Sequence, residues 1–250
     1  MSAENQLQEK NTFNNSIDFE TVMNQAFLNY KKTALYIGPA LLVFIFLFAI
    51  VFSVAAIGFF GVENINERSV EHFSKLLQTR PYNFYNAGFS VLISCFISPF
   101  IAGFYKMTDA AEKDTSFGLS RLFSCYNARY FGALFGATFI ISLIVNGVSL
   151  FFEEMHSPFI GLSIVLLVNF LTFLVLPLIV LGNCTAIESI ITSLKIVAKQ
   201  PFVLLILVII GLLATLLGLF GLCIGIFFTY PFYVSIVYCI YVSASSAENQ

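Results

Sequence analysis

Between Phe202 and Val242 the chain carries no Asp, Glu, Lys, Arg or His. A bilayer core is about 30 Å thick and takes about 20 apolar residues to cross as a helix, so this stretch is about twice the length of one crossing. Gly218 and Gly221 near its middle mark a turn, and the stretch reads as a tight helical hairpin. Four further uncharged runs occupy residues 34–60, 83–105, 131–152 and 157–182. None alternates polar and apolar residues with the period of two that a transmembrane barrel strand requires. Backbone groups in hydrocarbon must be satisfied within their own segment, which leaves helices. The expected fold is therefore all-α: a polytopic membrane protein with spans at about 34–60, 83–105, 131–152, 157–182, 202–219 and 223–243. Residues 1–15 read as a disordered tail, 16–243 as a single membrane domain and 244–250 as a second short tail.

Composition removes several function classes. The chain is 58% hydrophobic and 10% charged, with a formal net charge of -2, so it lacks the clustered Lys and Arg with which proteins neutralise phosphate backbones. Nucleic acid is not an expected partner. Cys95, Cys125, Cys184, Cys223 and Cys239 are odd in number, lack paired metal-ligand spacing, and read as small buried hydrophobes. About 33 mostly polar residues precede the first apolar run, which is too long for a signal peptide and has no small-residue cleavage site after it. That run is expected to stay as an anchor.

Successive flanks of the spans carry Lys10, Lys31 and Lys32, then Arg68, Lys75 and Arg80, then Lys106, Lys113, Arg121 and Arg129, and later Lys195 and Lys199. Lys and Arg concentrate on cytoplasmic flanks, so both termini are expected in the cytoplasm. With no Trp in the chain, Tyr30, Tyr36, Tyr82, Tyr85, Tyr105, Tyr126 and Tyr130 supply residues for an interfacial belt.

Each stretch leading into an odd-numbered span predicts an amphipathic interfacial helix. Asp18 leads to Lys32, Thr115 to Arg129 and Thr185 to Lys199 at one separation, with an acid or capping residue first and a cation last. Apolar stripes recur within them at helical spacing: Phe19, Val22, Met23, Ala26 and Phe27; Leu119, Leu122, Phe123 and Tyr126; Ile187, Ile190, Ile191 and Leu194. The second span of each unit carries a proline, Pro99, Pro177 or Pro231. The chain thus reads as three helical hairpins, each preceded by an interfacial helix.

Leu176, Pro177 and Leu178, the run from Thr185 through Lys195 to Pro201, and the last hairpin with Pro231 resemble the YciC-like family of bacterial six-helix inner-membrane proteins. More loosely they resemble the membrane domain attached to some glycerophosphodiester phosphodiesterases. The resemblance implies a multi-pass inner-membrane protein and carries over no catalytic residue.

Phosphate loops, nucleophile elbows and His-Glu-x-x-His strings are absent from the sequence. With only His72 and His156, no multi-histidine iron site can be assembled. Glu153, Glu154 and His156 form the one metal-like string, and Ser157 followed by Pro158 reads it more plainly as a loop before an N-capped helix. No catalytic, cofactor or metal residue is assigned. No ionisable side chain falls inside a span, which argues against charge-coupled transport. Span polarity comes from Asn146, Asn169, Thr229, Tyr230 and Tyr233, together with carbonyls that Pro99, Pro177 and Pro231 release. With Pro177, these side chains are candidates for lining a lipid groove; kinked packing with interhelical hydrogen bonds is the plainer reading. Gly132 with Gly136, and Gly221 with Gly225, are candidate packing faces. Val70, Phe73 and Leu77 predict an apolar face on a loop helix between Glu67 and Gln78. The functional expectation is a non-enzymatic accessory, stabilising or scaffold subunit of a larger membrane complex. The alternative is a carrier or binder of lipid or another small hydrophobic molecule, and membrane lipids and another membrane protein are the expected partners.

Overall fold

A computed structural model describes residues 17–60, 80–113, 120–218 and 225–248, and their regular structure is entirely helical. In chain order the helices are α1 (Phe19–Phe60), α2 (Arg80–Glu112), α3 (Ser120–Phe123), α4 (Ala128–Glu154), α5 (Pro158–Thr172), α6 (Val175–Val180), α7 (Ala186–Lys199), α8 (Pro201–Leu217) and α9 (Gly225–Glu248). A 3-10 turn, Ser124–Tyr126, joins α3 to α4. Five stretches are long and apolar enough to cross a membrane: Phe19–Val51, Tyr82–Glu112, Ala128–Glu154, Pro158–Val180 and Gly225–Ser245. A sixth candidate is α8, whose 17 residues are uncharged and span about 26 Å, bent by 105° from the helix before it, so the structure holds five or six crossings. The protein is an all-α polytopic membrane protein. The expected loop helix at 67–78, Gly221, Cys223 and the tail 1–15 lie outside the described residues.

The three interfacial segments join their spans in three different ways. Asp18 accepts hydrogen bonds from the Thr21 backbone N–H at 2.8 Å and hydroxyl at 2.6 Å, capping α1. From there α1 runs 42 residues without a break, so the separate first interfacial helix is corrected to the first turns of a long span. Its inward stripe of Val22, Ala26, Asn29, Thr33 and Ile37 is buried and repeats helically across the join, so one packing surface keeps both parts on one axis. In the second segment only a single turn, α3, and the 3-10 turn are helical among the described residues, short of the expected helix to Arg129. The third is as expected. Thr185 and Glu188 close a capping box at the start of α7, and α7 meets α8 at 105°. Pro201 accounts for the corner, because the residue before a proline is kept out of the α region, and Gln200 adopts φ -142°, ψ 60°.

The even-span prolines also act differently. Pro99 and Pro231 sit inside continuous helices. The Cys95 carbonyl that Pro99 releases accepts the Ser98 hydroxyl at 3.1 Å. The carbonyl released by Pro231, on Phe227, lies against Gly38, where a Cβ would stand 2.6 Å from the oxygen. Around Pro177 the span divides, with a turn at Phe173 and Leu174 between α5 and α6 and no N–H on the proline to bridge it. Pro158 does occupy the first turn of α5, while the Ser157 side chain makes no cap bond and donates instead to the Met155 carbonyl at 3.3 Å. At the other end, α9 continues to Glu248, so most of the expected tail at 244–250 is helix.

The most extensive contacts join α9 to α1 and α2 to α4, followed by the hairpin partners α8 and α9 and then α4 and α5. Each of the first two seams pairs the second span of one unit with the first span of another. A complete ring of three units would add a third such seam, between α5 and α8, and no comparable contact joins them. α2 touches α1, α4, α6 and α9 and is central, with Cys95, Phe100, Phe104 and Met107 buried along it. Large apolar side chains face outward on most spans, among them Phe46, Val51, Phe159 and Leu217, as a hydrocarbon solvent requires.

Candidate functional site

A cavity of about 400 Å³ opens between α2, α4, α5, α6 and α9. Its apolar wall includes Ile97, Ile101, Ile141 and Leu176, and its polar lining includes Ser94, Ser98, Thr138, Ser142, Asn169 and Thr172. Several of these satisfy themselves on their own helices. Ser98 donates to Cys95, Asn169 to the Val165 carbonyl at 2.9 Å and Thr172 to the Val168 carbonyl at 2.8 Å, a local bond that keeps a polar group inexpensive in hydrocarbon.

Three phenols behave differently. Tyr105, Tyr230 and Tyr233 line the same groove, and among the described residues their hydroxyls make no hydrogen bond. Tyr105 is only 3% exposed. Because no described side-chain polar atom is both fully buried and unpartnered, these hydroxyls open onto the groove space. Three free donors in an apolar cleft are a demand for a ligand or for water.

The structure therefore gathers Asn169, Tyr230 and Tyr233, and corrects the other sequence-chosen groove residues. Pro177 is buried within α6, one position beyond the lining Leu176. Thr229 turns to the neighbouring helix and donates to the Thr215 carbonyl at 3.3 Å as well as to Gly225 in its own helix at 3.1 Å. Asn146 donates to the Ser142 carbonyl at 2.8 Å and lies a turn beyond the lining. Sequence reading missed Tyr105, taken for an interfacial belt residue, and Ser94, Ser98, Thr138, Ser142 and Thr172. Ser94, Ser98 and Tyr105 share one helical face of α2 by spacing alone, and that was the available signal.

The packing glycines are likewise redistributed. A Cβ on Gly132 would meet nothing within 4 Å, and one on Gly136 would make ordinary contact with Ala186 at 3.5 Å, so neither permits a close approach that alanine would forbid. Gly225 does pack tightly, against Gly218 across the last hairpin. Gly103 admits the Leu122 backbone, and a Cβ on Gly211 would lie 2.9 Å from the Tyr233 ring.

Beyond Tyr105, α2, α4, α6 and α9 together with α3 and the 3-10 turn border a second, charged cavity of about 710 Å³, lined by Lys106, Asp109, Glu112, Lys113, Arg121, Ser124, Tyr130, Tyr238 and Tyr241 among others. Asp109 accepts the Tyr238 hydroxyl at 3.0 Å and pairs with Lys113 at 2.7 Å. Glu112 accepts from Asn29 at 3.2 Å, and Asn29 also reaches the Cys239 sulfur at 3.6 Å, tying α1, α2 and α9 together. The Lys106 ammonium lies 3.6 Å from the Tyr130 ring centroid. On the rim Arg129 donates to Asn183 at 3.0 Å, a residue held at φ 53° where α6 ends. Uncharged spans hid this chamber from sequence reading, since its carboxylates sit one and two turns past the end of the apolar run on α2.

Glu153, Glu154 and His156 do not assemble a cation site. Glu153 accepts from Asn83 at 3.0 Å, the His156 Nδ1 lies 3.0 Å from the Glu154 carbonyl, and no group of three ligating side chains occurs among the described residues. Cys95, Cys125 and Cys239 are buried free thiols, and Cys184 is half-buried. Burial pushes the Cys125 thiol above its ordinary value, against the opposing field of Lys106. No protein-family model, curated protein or solved structure matches this chain, so the resemblance to the YciC-like family rests on the strings around Pro177, Thr185 to Pro201 and Pro231 alone.

Proposed function

We propose that this protein binds a lipid or another small hydrophobic molecule, as a non-enzymatic multi-pass protein of the inner membrane with both termini in the cytoplasm. The observation that carries the reading is the groove in which Tyr105, Tyr230 and Tyr233 present hydroxyls that have no hydrogen-bond partner among the described residues. An alkyl chain would fill the apolar wall while an ester or hydroxyl oxygen meets the phenols. Distribution of Lys and Arg among the flanks supports the orientation. An accessory-subunit role has the exposed Gly132 face in its favour, but surrounding lipid covers such a face equally well, and the groove is the more specific feature.

Native mass spectrometry of the detergent-extracted protein tests the proposal. Wild type should retain a tightly bound lipid. Thr138→Phe combined with Ser142→Phe, which fills the groove from α4, should lose it with helical circular dichroism unchanged. Equal retention by both proteins would overturn the reading.

A further inference from the structure

We infer that the charged cavity is a site for a phosphate group bearing net negative charge, carried on the same lipid whose chains the groove holds. This rests on the groove reading and deepens it. The two cavities are stacked along shared helices: α2 contributes Tyr105 to the groove and Lys106 to the chamber, and α9 contributes Tyr233 to one and Tyr238 to the other. An elongated molecule with an apolar end and a polar end matches that order.

Charge accounting within the chamber decides the sign of the polar end. Five charged side chains line it: Lys106, Lys113, Arg121, Asp109 and Glu112. Both acids are engaged by the protein, Asp109 by Lys113 and Tyr238, and Glu112 by Asn29. Among the described residues neither Lys106, which lies over the face of Tyr130, nor Arg121 has a carboxylate partner. Asn29 is neutral and leaves the Glu112 charge in place, so three cations against two acids give the lining one positive charge in excess, held in a concave site. Arg and Lys there bind phosphate oxygens through charge-assisted hydrogen bonds, whereas a neutral headgroup would leave the excess positive charge uncompensated.

The experiment reconstitutes the protein in nanodiscs of equimolar phosphatidylglycerol and phosphatidylcholine, releases it into mild detergent, and counts retained lipids by native mass spectrometry. Wild type should hold phosphatidylglycerol in preference to phosphatidylcholine by about tenfold, the scale of one charge-assisted bond. Lys106→Gln with Arg121→Gln should erase the preference while still retaining lipid, and the groove-filled variant should retain neither lipid. A preference that survives the double Gln variant overturns the site and leaves the groove reading standing. Should wild type retain no lipid, the groove reading fails, and calorimetric titration with inorganic phosphate decides the chamber. Binding that disappears in the double Gln variant identifies a site for free phosphate, and absence of binding overturns it. Thermal melting of each variant separates lost recognition from lost folding.

Discussion

At the scale of single residues, identity in the sequence says less than the neighbour each residue meets. Gly132 and Gly103 are indistinguishable as letters, yet a Cβ on the first enters open space and one on the second enters the Leu122 backbone. Gly103→Ala and Gly218→Ala should each cost about 1–3 kcal/mol, because the Leu122 backbone fills the space beside the first, and the Thr229 hydroxyl with the Gly225 backbone fills that beside the second. Gly132→Ala should be neutral or stabilise by about 0.5 kcal/mol through helix propensity alone. Thermal or denaturant unfolding in detergent measures both, and equal effects at Gly103 and Gly132 would refute the packing. Thr229 shows the same dependence. Its position among polar span residues suggested a groove, but its hydroxyl is consumed at the α8–α9 contact by Thr215 and Gly225. Removing it by Thr229→Val should destabilise the last hairpin and leave lipid retention unchanged.

At the scale of elements, local chemistry was most legible where it was self-contained. The capping box of α7 needs only Thr185 and Glu188, three residues apart, and it forms as the spacing predicts. Thr185→Ala should cost about 1 kcal/mol, visible as lost helicity and a lower melting temperature. Hydrogen bonds from the Thr185 backbone and side chain hold the Glu188 carboxyl below its ordinary value of 4.5. A folded-state value depressed in this way contributes stability that is fully present above 4.5 and is lost as the pH falls through the folded value. The pH dependence of melting should therefore weaken below that point in Glu188→Gln relative to wild type; identical profiles would exclude the contribution. Where an element depended on distant contacts, sequence reading overdivided it. Lys32 looked like the end of an interfacial helix, but burial of Asn29, Thr33 and Ile37 against the rest of the bundle carries α1 straight through.

At the scale of the whole molecule, three similar units do not make a symmetric ring, because the α9–α1 and α2–α4 seams close and the α5–α8 seam does not. Its orientation is open to a direct test in a cysteine-free background. Ser157→Cys lies in the turn between α4 and α5, and Asn183→Cys lies at the opposite end of that hairpin, between α6 and α7. A membrane-impermeant thiol reagent added to intact cells should label the first and spare the second; the reverse pattern would invert the proposed topology. By itself the sequence determined that the chain crosses the bilayer as helices, about how many times, and where α7 begins. Each of those follows from short-range terms: the transfer of apolar runs into hydrocarbon and the local satisfaction of backbone groups. Tertiary structure alone decided which phenols face one another, which glycines touch backbone, and that Asp109, Glu112 and the cations beyond Tyr105 form a chamber. Those depend on which helices pack, and in a bilayer packing is governed by close-range shape and hydrogen bonding rather than by hydrophobicity, to which hydropathy along the chain is blind.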